Sequence, residues 1–475
     1  MTDKSTSILS AWYHRTINRL TKSSENRAYL LKGSIGTFGL QGASILLGFV
    51  STWIFAKLLG VEQYGVYTYL LSWLAVLGTL AAMGTESYMV KTTAAYRTAK
   101  QNGLLKGAGI FSVFVVVGVS LLIILITWFT LRHWDKLWFY NPNSLMANPQ
   151  NRHLLVIILW SLPFIALARV FEGLLRGAKF VISSQLPEML VKPILLLMFI
   201  AIAYFLQGRS LDITDTIVMQ IISVVLVAIA YFALFLKKFP HELIIVQPQY
   251  QPAIWTRGMF SFLSVSILSI INVRADLLLL GSLATAADVG IYNIAARLAD
   301  IPKTILIAAN LVMAPMVAEM YAKQDLQRLQ KLLTLSVRLI TVSGIPFILL
   351  YIFFGTPILK IWGTAFGQGY FALVCLGGAQ LFNLAMGSVG MVLMMSGHER
   401  WVSYGLALGT GVNILLNILL IPTFGLNGAA IASLATTVVW NVFLAGVVIK
   451  KLNIDPTILG VLGDWGRRKG IGNEQ

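Results

Sequence analysis

Residues 104–131 read LLKGAGIFSVFVVVGVSLLIILITWFTL and contain one charged side chain, that of Lys106. A helix rises about 1.5 Å per residue, so a run of this length can cross a hydrocarbon core of about 30 Å. The chain contains twelve such apolar stretches between residues 33 and 450. The sequence therefore predicts an all-α, polytopic membrane protein with about 12 transmembrane helices.

The composition of the whole chain agrees with this prediction. Of 475 residues, 57% are hydrophobic and 12% are charged, whereas about a quarter of the residues in soluble domains are charged. The net charge is +17, and most Lys and Arg residues lie in alternate gaps between the apolar stretches. This placement follows the positive-inside rule and predicts cytoplasmic N- and C-termini. It favours anionic lipid headgroups, not nucleic acid, as neighbours of the positive charge.

A weak internal repeat divides the predicted helices into two lobes of six. Gly65-Val66-Tyr67 follows the first apolar stretch, and Gly290-Ile291-Tyr292 follows the seventh. Two lobes in the same orientation would enclose a central cavity. The predicted domains are a basic leader at 1–32, an N-lobe at 33–237, a cytoplasmic linker at 238–257, a C-lobe at 258–450 and a cytoplasmic tail at 451–475. The leader is either a helix on the headgroup layer or a disordered segment.

Ionisable residues within apolar stretches are candidate functional residues, because an ionised side chain at mid-bilayer costs about 3 kcal/mol or more. The seventh stretch contains Arg274 and Asp276. Helical periodicity places Asp276 on one face with Asn272 and Ser269, and turns Arg274 away from that face. We expect the face of Asp276 to line the cavity. Arg274 either reaches the cavity or extends toward the outer surface.

The eighth stretch carries a second set of polar residues. Asn293, Arg297 and Asp300 fall on one helical face, and Lys303 flanks that face. Two interpretations remain open, since these side chains either line the cavity or include a structural ion pair between Arg297 and Asp300. Pro302 removes a backbone donor and leaves the carbonyl of Leu298 without its usual partner. The sequence therefore predicts a broken helix here, as is tolerated beside a polar cavity.

A third group of charges lies at the predicted cytoplasmic end of the fourth stretch. Arg169, Glu172 and Arg176 fall on roughly one helical face. They form either a funnel at the inner mouth of the cavity or an anchor at the interface. Glu86, near the end of the second stretch, has no partner that the sequence identifies.

Several chemistries lack their motifs in this sequence. There is no Gly-x4-Gly-Lys-Ser/Thr loop for nucleotide hydrolysis, no Gly-x-Ser-x-Gly and no His-Glu-x-x-His. The single cysteine, Cys375, and five scattered histidines have no metal-ligand spacing. We therefore expect no enzyme activity and no cofactor, with H⁺ or Na⁺ as a possible coupling ion.

Four sets of short segments, in this order along the chain, resemble segments of a known protein family. They are 56–60 (AKLLG) with 64–67 (YGVY), 174–177 (LLRG) with 186–188 (LPE), 276–281 (DLLLLG) with 290–292 (GIY), and 425–432 (GLNGAAIA). The chain resembles the polysaccharide transporters of the multidrug, oligosaccharidyl-lipid and polysaccharide exporter superfamily, close to Wzx-type flippases. Twelve stretches, where lipid II flippases are expected to have fourteen, favour the O-antigen-like branch.

The resemblance implies alternating access and a substrate of sugars on undecaprenyl diphosphate, moved across a bacterial inner membrane. The repeat unit would belong to an O-antigen, a capsule or an exopolysaccharide, and a polysaccharide polymerase and chain-length machinery would be partners. Cavity cations would meet the diphosphate, a role that falls on Arg297 and Lys303 and less directly on Arg274. Asp276 or Asp300 would exchange a proton or cation.

Two other functions remain as alternatives. A multidrug and toxin exporter shares the fold but needs a deep carboxylate in its first lobe, which we do not find. An O-antigen polymerase or ligase is also polytopic, but needs a sizeable periplasmic loop. The longest predicted outer connection, 132–152, has only about twenty residues.

Overall fold

The computed structural model describes residues 24–136, 141–142, 144–207, 212–239 and 246–460, with side chains except at 24–36, 38 and 204–207. These residues form α-helices joined by short turns, 3₁₀ segments and one π-helical segment. The helices are α1 Ser24–Ala81, α2 Thr85–Thr98, α3 Asn102–Arg132, α4 Pro149–Leu159, α5 Leu162–Gly177, α6 Val181–Leu186, the π segment Pro187–Val191, α7 Lys192–Gln207, α8 Ile213–Lys238, α9 Pro252–Leu283, α10 Ala286–Ala299, α11 Lys303–Ala322, α12 Leu326–Lys360, α13 Tyr370–Met386, α14 Val389–Met395, α15 Glu399–Phe424 and α16 Leu426–Leu452.

Eleven helical segments of the described chain are long and apolar enough to cross a membrane. The first, Gly39–Thr98, has 60 residues and would extend about 90 Å if it were straight, three times the hydrocarbon core. Its backbone is not helical at Gly60, where φ is 72° and ψ is 174°. The chain turns there and makes two passes. The prediction of about 12 transmembrane helices in an all-α membrane protein is therefore confirmed.

The two lobes meet where the repeated triplets of the sequence meet. A Cβ on Gly65 of α1 would lie 1.7 Å from the carbonyl oxygen of Ala286, and a Cβ on Gly290 of α10 would lie 2.7 Å from that of Val61. Cβ atoms do not approach backbone so closely, so both positions require glycine. We call this contact the glycine junction.

A second contact between the lobes lies toward the other end of the molecule. Gly84, with φ of 67°, would bring a Cβ within 2.5 Å of the Leu263 nitrogen. A Cβ on Gly258 would lie 2.4 Å from the Tyr88 ring. Positive φ and close approach both select glycine here. The lobes therefore touch at both ends, and the space between these contacts remains open.

The described part of the linker packs on the N-lobe. The Gln249 N–H donates to the Gly103 carbonyl at 3.0 Å, and a Cβ on Gly107 would lie 1.8 Å from the Gln249 oxygen. The Trp255 indole donates to the Tyr96 hydroxyl at 3.1 Å. The connection between α8 and α9 is thus held against α2 and α3. The predicted domain boundaries themselves stay a prediction.

The helix break at Pro302 lies where the sequence predicts it. Helix α10 ends at Ala299 and α11 begins at Lys303. The Leu298 carbonyl accepts a hydrogen bond from the Tyr351 hydroxyl at 2.6 Å and from the Ile301 N–H at 3.1 Å. A side chain of α12 thus replaces the donor that proline lacks, and the break is stabilised from outside its own helix.

Residues 453–460, near the start of the predicted tail, pack into the C-lobe. The Gln330 amide donates to the Asp455 carbonyl at 2.6 Å and accepts from the Asp455 N–H at 2.8 Å. The Ile458 N–H donates to the Ala385 carbonyl at 2.9 Å. This C-terminal segment therefore joins α12 to α13. Residues 461–475 and 1–23 lie outside the described residues, and α1 begins at Ser24.

Candidate functional site: the cavity between the lobes

A cavity of about 750 Å³ lies between the two lobes. Its wall is formed by α1, α2, α5, the π segment, α7, α8, α9 and α10. One end contains Arg274 and Arg297, near the glycine junction, and the other contains Glu86, Arg169 and Glu172. The two ends differ in charge and are described in turn.

Arg274 and Arg297 form the first end, and we call them the arginine pair. Both line the cavity, and Arg297 lies close enough to Arg274 to act on it electrostatically. Within the described chain, no carboxylate lies at ion-pair distance from either side chain. The Arg274 Nε is buried without a hydrogen-bond partner. Arg297 is exposed to the cavity, whereas Arg274 is half-buried. Two like charges that face each other repel, and an anion between them would offset that repulsion.

The structure corrects the expected orientation of α9. Arg274 faces the cavity, whereas Asp276 and Asn272 face the interior of the C-lobe, where Asn272 donates to the Thr410 hydroxyl at 3.1 Å. Four donors surround the Asp276 carboxylate: the amides of Asn413 and Asn417 at 2.8 Å each, the Tyr292 hydroxyl at 2.6 Å and the Ser433 hydroxyl. We call this group the Asp276 cage. Helix α9 lies between the lobes and so has polar neighbours on two sides.

The Asp276 cage contains one unsatisfied oxygen. Asn417 is fully buried, and its Oδ1 has no hydrogen-bond partner. Carboxylate, amide and hydroxyl oxygens are the groups that hard cations prefer, and the described residues contain no cluster of three or more His, Cys, Asp or Glu side chains that would form a conventional metal site. Because the Asp276 carboxylate already accepts four hydrogen bonds, the Asn417 Oδ1 is the acceptor of the cage that remains for a proton or a small cation.

The polar residues predicted on the eighth stretch separate in the structure. Asn293 is buried between the lobes and accepts from the Tyr64 hydroxyl at 2.8 Å. Arg297 lines the cavity, and Asp300, at the helix break, accepts from the Gln380 amide at 2.7 Å. Lys303 begins α11 beside Asp300 and is not part of the cavity wall. The interpretation of Arg297 and Asp300 as an ion pair is wrong, because Asp300 is bonded instead to α13.

The opposite end of the cavity holds the group predicted at the end of the fourth stretch. Arg169 lies 3.2 Å from Glu86 and 3.1 Å from Glu172, and Arg176 lies 3.0 Å from Glu86 and also pairs with Glu172. The partners of Glu86, which the sequence did not identify, are therefore these two arginines. They are 83 and 90 positions away in the chain. We call this group, with Glu188 and Lys192 paired at 2.7 Å, the charged mouth.

Glu172→Gln is expected to lower the free energy of unfolding by roughly 1–2 kcal/mol. The Glu172 side chain is 7% exposed and neutralises two arginines, although these are 39% and 33% exposed and so partly solvated. Thermal unfolding of the purified protein in detergent would measure the change. The matched control is Glu319→Gln, since Glu319 and Lys323 are each 64% exposed and should contribute little. Equal stability of the two variants would contradict a structural role for the mouth.

The sequence of this chain is similar to one known protein family and to a named relative. Residues 30–321 match the family described as polysaccharide biosynthesis protein. A probable low-salt glycan biosynthesis flippase of Haloferax volcanii is 24% identical over 182 residues, which are 37% of this chain and 39% of that protein. The match thus spans about two fifths of that relative.

Two solved structures share the fold at low sequence identity. A lipid II flippase MurJ in an inward closed conformation superposes with a TM-score of 0.67 at 16% identity, covering 88% of this chain and 87% of that chain. An inward-facing multidrug resistance MATE family transporter gives a TM-score of 0.69 at 13% identity, covering 84% and 92%. Because the family match includes more than half of the sequence, the chain belongs to the polysaccharide biosynthesis protein family, and it has the fold of these membrane transporters.

Proposed function

We propose that the protein flips an undecaprenyl-diphosphate-linked oligosaccharide from the cytoplasmic to the periplasmic leaflet of a bacterial inner membrane. The arginine pair carries this proposal. Two unpaired guanidinium groups face one cavity, and arginine binds phosphate oxygens with two parallel hydrogen bonds. A sugar diphosphate cannot cross hydrocarbon unaided, whereas the polyprenyl tail can remain in lipid. The family and the relative named as a glycan biosynthesis flippase support the same substrate class.

The two contacts between the lobes support a cycle of alternating access. The glycine junction would close the periplasmic side while the cavity is entered from the cytoplasmic side, past the charged mouth. Opening of the junction would then release the headgroup on the other side. We propose, with this orientation, that both termini lie in the cytoplasm. A polysaccharide polymerase would receive the product.

The Asp276 cage is our proposed coupling site, in which H⁺ or Na⁺ binds and resets the carrier. Tyr292 of α10 donates to Asp276 and precedes Asn293, which contacts Tyr64 of the N-lobe. A change at the carboxylate would therefore act on a helix that also carries Arg297. The cage is buried and the Asn417 Oδ1 in it has no hydrogen-bond partner, which favours a proton or a small cation over an organic ligand.

Asp276→Asn is expected to remove the response of transport to an imposed ion gradient and to slow transport about tenfold, because the neutral amide cannot exchange charge. Flipping rates in proteoliposomes with and without a pH or Na⁺ gradient would measure this. Asp300→Asn is the comparison variant, since Asp300 also lies in a membrane segment but is bonded to Gln380. Loss of the gradient response in Asp300→Asn alone would assign coupling to Asp300 instead.

A reconstitution experiment tests the proposed function directly. Purified protein in liposomes should expose an undecaprenyl-diphosphate-linked glycan to an impermeant lectin, and empty liposomes should not. In cells, deletion of the gene should remove the surface polymer without changing drug susceptibility. Drug hypersensitivity with a normal polymer would favour the multidrug exporter, and no transfer of lipid in liposomes would refute the flippase.

A further inference from the structure

The charged side chains along the cavity fall into a group that is neutral as a whole and two arginines that are unpaired. At the charged mouth, three carboxylates contact three cations. Arg169 and Arg176 each contact both Glu86 and Glu172. Lys192 contacts Glu188. The charges of the mouth therefore cancel within the described residues. The arginine pair adds two further positive charges that have no protein partner. The excess along the path is thus two.

A diphosphate esterified at both ends carries two negative charges near pH 7, one on each phosphate. This number equals the excess supplied by the arginine pair. Once the diphosphate is bound there, no cation of the described cavity wall remains unpaired. An additional negative charge on the cargo would have to displace a carboxylate from Arg169 or Lys192, or lie beside Glu86, Glu172 or Glu188.

The hydroxyl groups of the cavity wall also disfavour an additional negative charge on the cargo, independently of the charged side chains. Six of them line the cavity and donate their proton to a carbonyl of their own helix: Ser51, Thr52, Thr68, Thr79, Ser266 and Ser269. A hydroxyl has one donor, so each of these oxygens offers the cavity only its lone pairs. Sugar hydroxyls can donate to them. A carboxylate can only accept and finds no donor among these six hydroxyls.

We infer that the translocated glycan is uncharged, built of neutral hexoses, deoxyhexoses or N-acetylated sugars, and that the cavity discriminates against uronic acids and other acidic sugars. This inference rests on the proposed function and adds the chemical class of the sugar. The diphosphate is held by the arginine pair, and the glycan lies along the hydroxyl wall between that pair and the charged mouth.

The test compares two synthetic lipids in proteoliposomes that contain the full chain. Both carry a trisaccharide on undecaprenyl diphosphate, and they differ in that one hexose of the second is a hexuronic acid. Exposure of the terminal sugar to an impermeant glycosidase measures transfer. The neutral lipid is expected to be transferred about tenfold faster or more, because like charges repel strongly where water is limited.

A charge variant makes the test specific to the mouth. Glu188→Gln leaves Lys192 without its carboxylate and should raise transfer of the acidic lipid until the two rates differ by less than about threefold. If that variant does not fold, Glu86→Gln serves the same purpose, since Glu86 faces both arginines. The control, Glu319→Gln at an exposed pair, should retain the discrimination of the unmodified protein.

The outcomes separate the inference from the function. Equal transfer of both lipids, or faster transfer of the acidic one, overturns the inference and leaves the flippase standing. Transfer of neither lipid overturns the proposed function and the inference together. Discrimination that persists unchanged in both Glu188→Gln and Glu86→Gln also overturns the inference, because the mouth would then not be its source.

Discussion

Replacing both Arg274 and Arg297 with alanine is expected to slow transfer of a lipid-linked oligosaccharide by about 100-fold or more. Each arginine would make a charge-assisted contact with the diphosphate worth roughly 1.5–3 kcal/mol, and each 1.4 kcal/mol is a factor of about ten. Single variants should each lose about tenfold or more. Proteoliposome assays at matched protein content would measure the rates.

Stability distinguishes a binding role of the arginine pair from a structural one. Neither arginine has a carboxylate partner in the described chain, so alanine leaves no charge unpaired. The melting temperature of the double variant should therefore be unchanged or higher. Arg400→Ala is the matched control, because Arg400 is exposed at the start of α15 and away from the cavity wall. Normal transfer by the double variant would exclude the arginine pair from substrate binding.

Gly65→Ala is expected to lower transfer about tenfold or more by preventing closure of the glycine junction. The new Cβ would lie 1.7 Å from the Ala286 oxygen, so backbone would have to separate, and such overpacking costs about 1–3 kcal/mol. The carrier should then favour the conformation open on that side. A cysteine at Ser51, in a Cys375→Ser background, should become reactive to an impermeant maleimide from the junction side.

Gly118→Ala is the control for this substitution. Gly118 is exposed in the middle of α3, and its Cβ would meet nothing within 4 Å. Alanine also favours a helix over glycine, so this variant should be at least as stable as the unmodified protein. If Gly65→Ala transfers lipid normally and Ser51→Cys stays unreactive in it, the junction does not gate the cavity.

Hydropathy predicted the passes because crossing a membrane is a local requirement on about 20 residues. The prediction fails in detail where single residues interrupt a helix. Gly387, with φ of 75°, separates α13 from α14 inside one predicted stretch, whereas Gly60 turns the chain in the connection between the first two predicted stretches. Pro302 was recognised as a break because proline has a local signature, whereas an isolated glycine does not.

The site was predicted only in part, for a geometric reason. Periodicity correctly separated Arg274 from Asp276 on α9, but it does not say which polar face meets which neighbour. The partners of Glu86 lie far away in sequence and have no local signal. Asn413 and Asn417 did carry one, as two amides at i and i+4 in an apolar stretch, which indicates a polar face on α15 but does not identify Asp276 as its partner.

The C-terminal segment 453–460 bears on the order in which the protein is made. Gln330 and Asp455 bond across 125 positions of the chain, and so do Arg338 and Gly460 across 122. Helix α12 enters the bilayer long before those partners emerge from the ribosome. Insertion of the helices and direct packing of α12 on α13 can thus proceed during translation, whereas the bonds that 453–460 makes to both helices form only after the last part of synthesis.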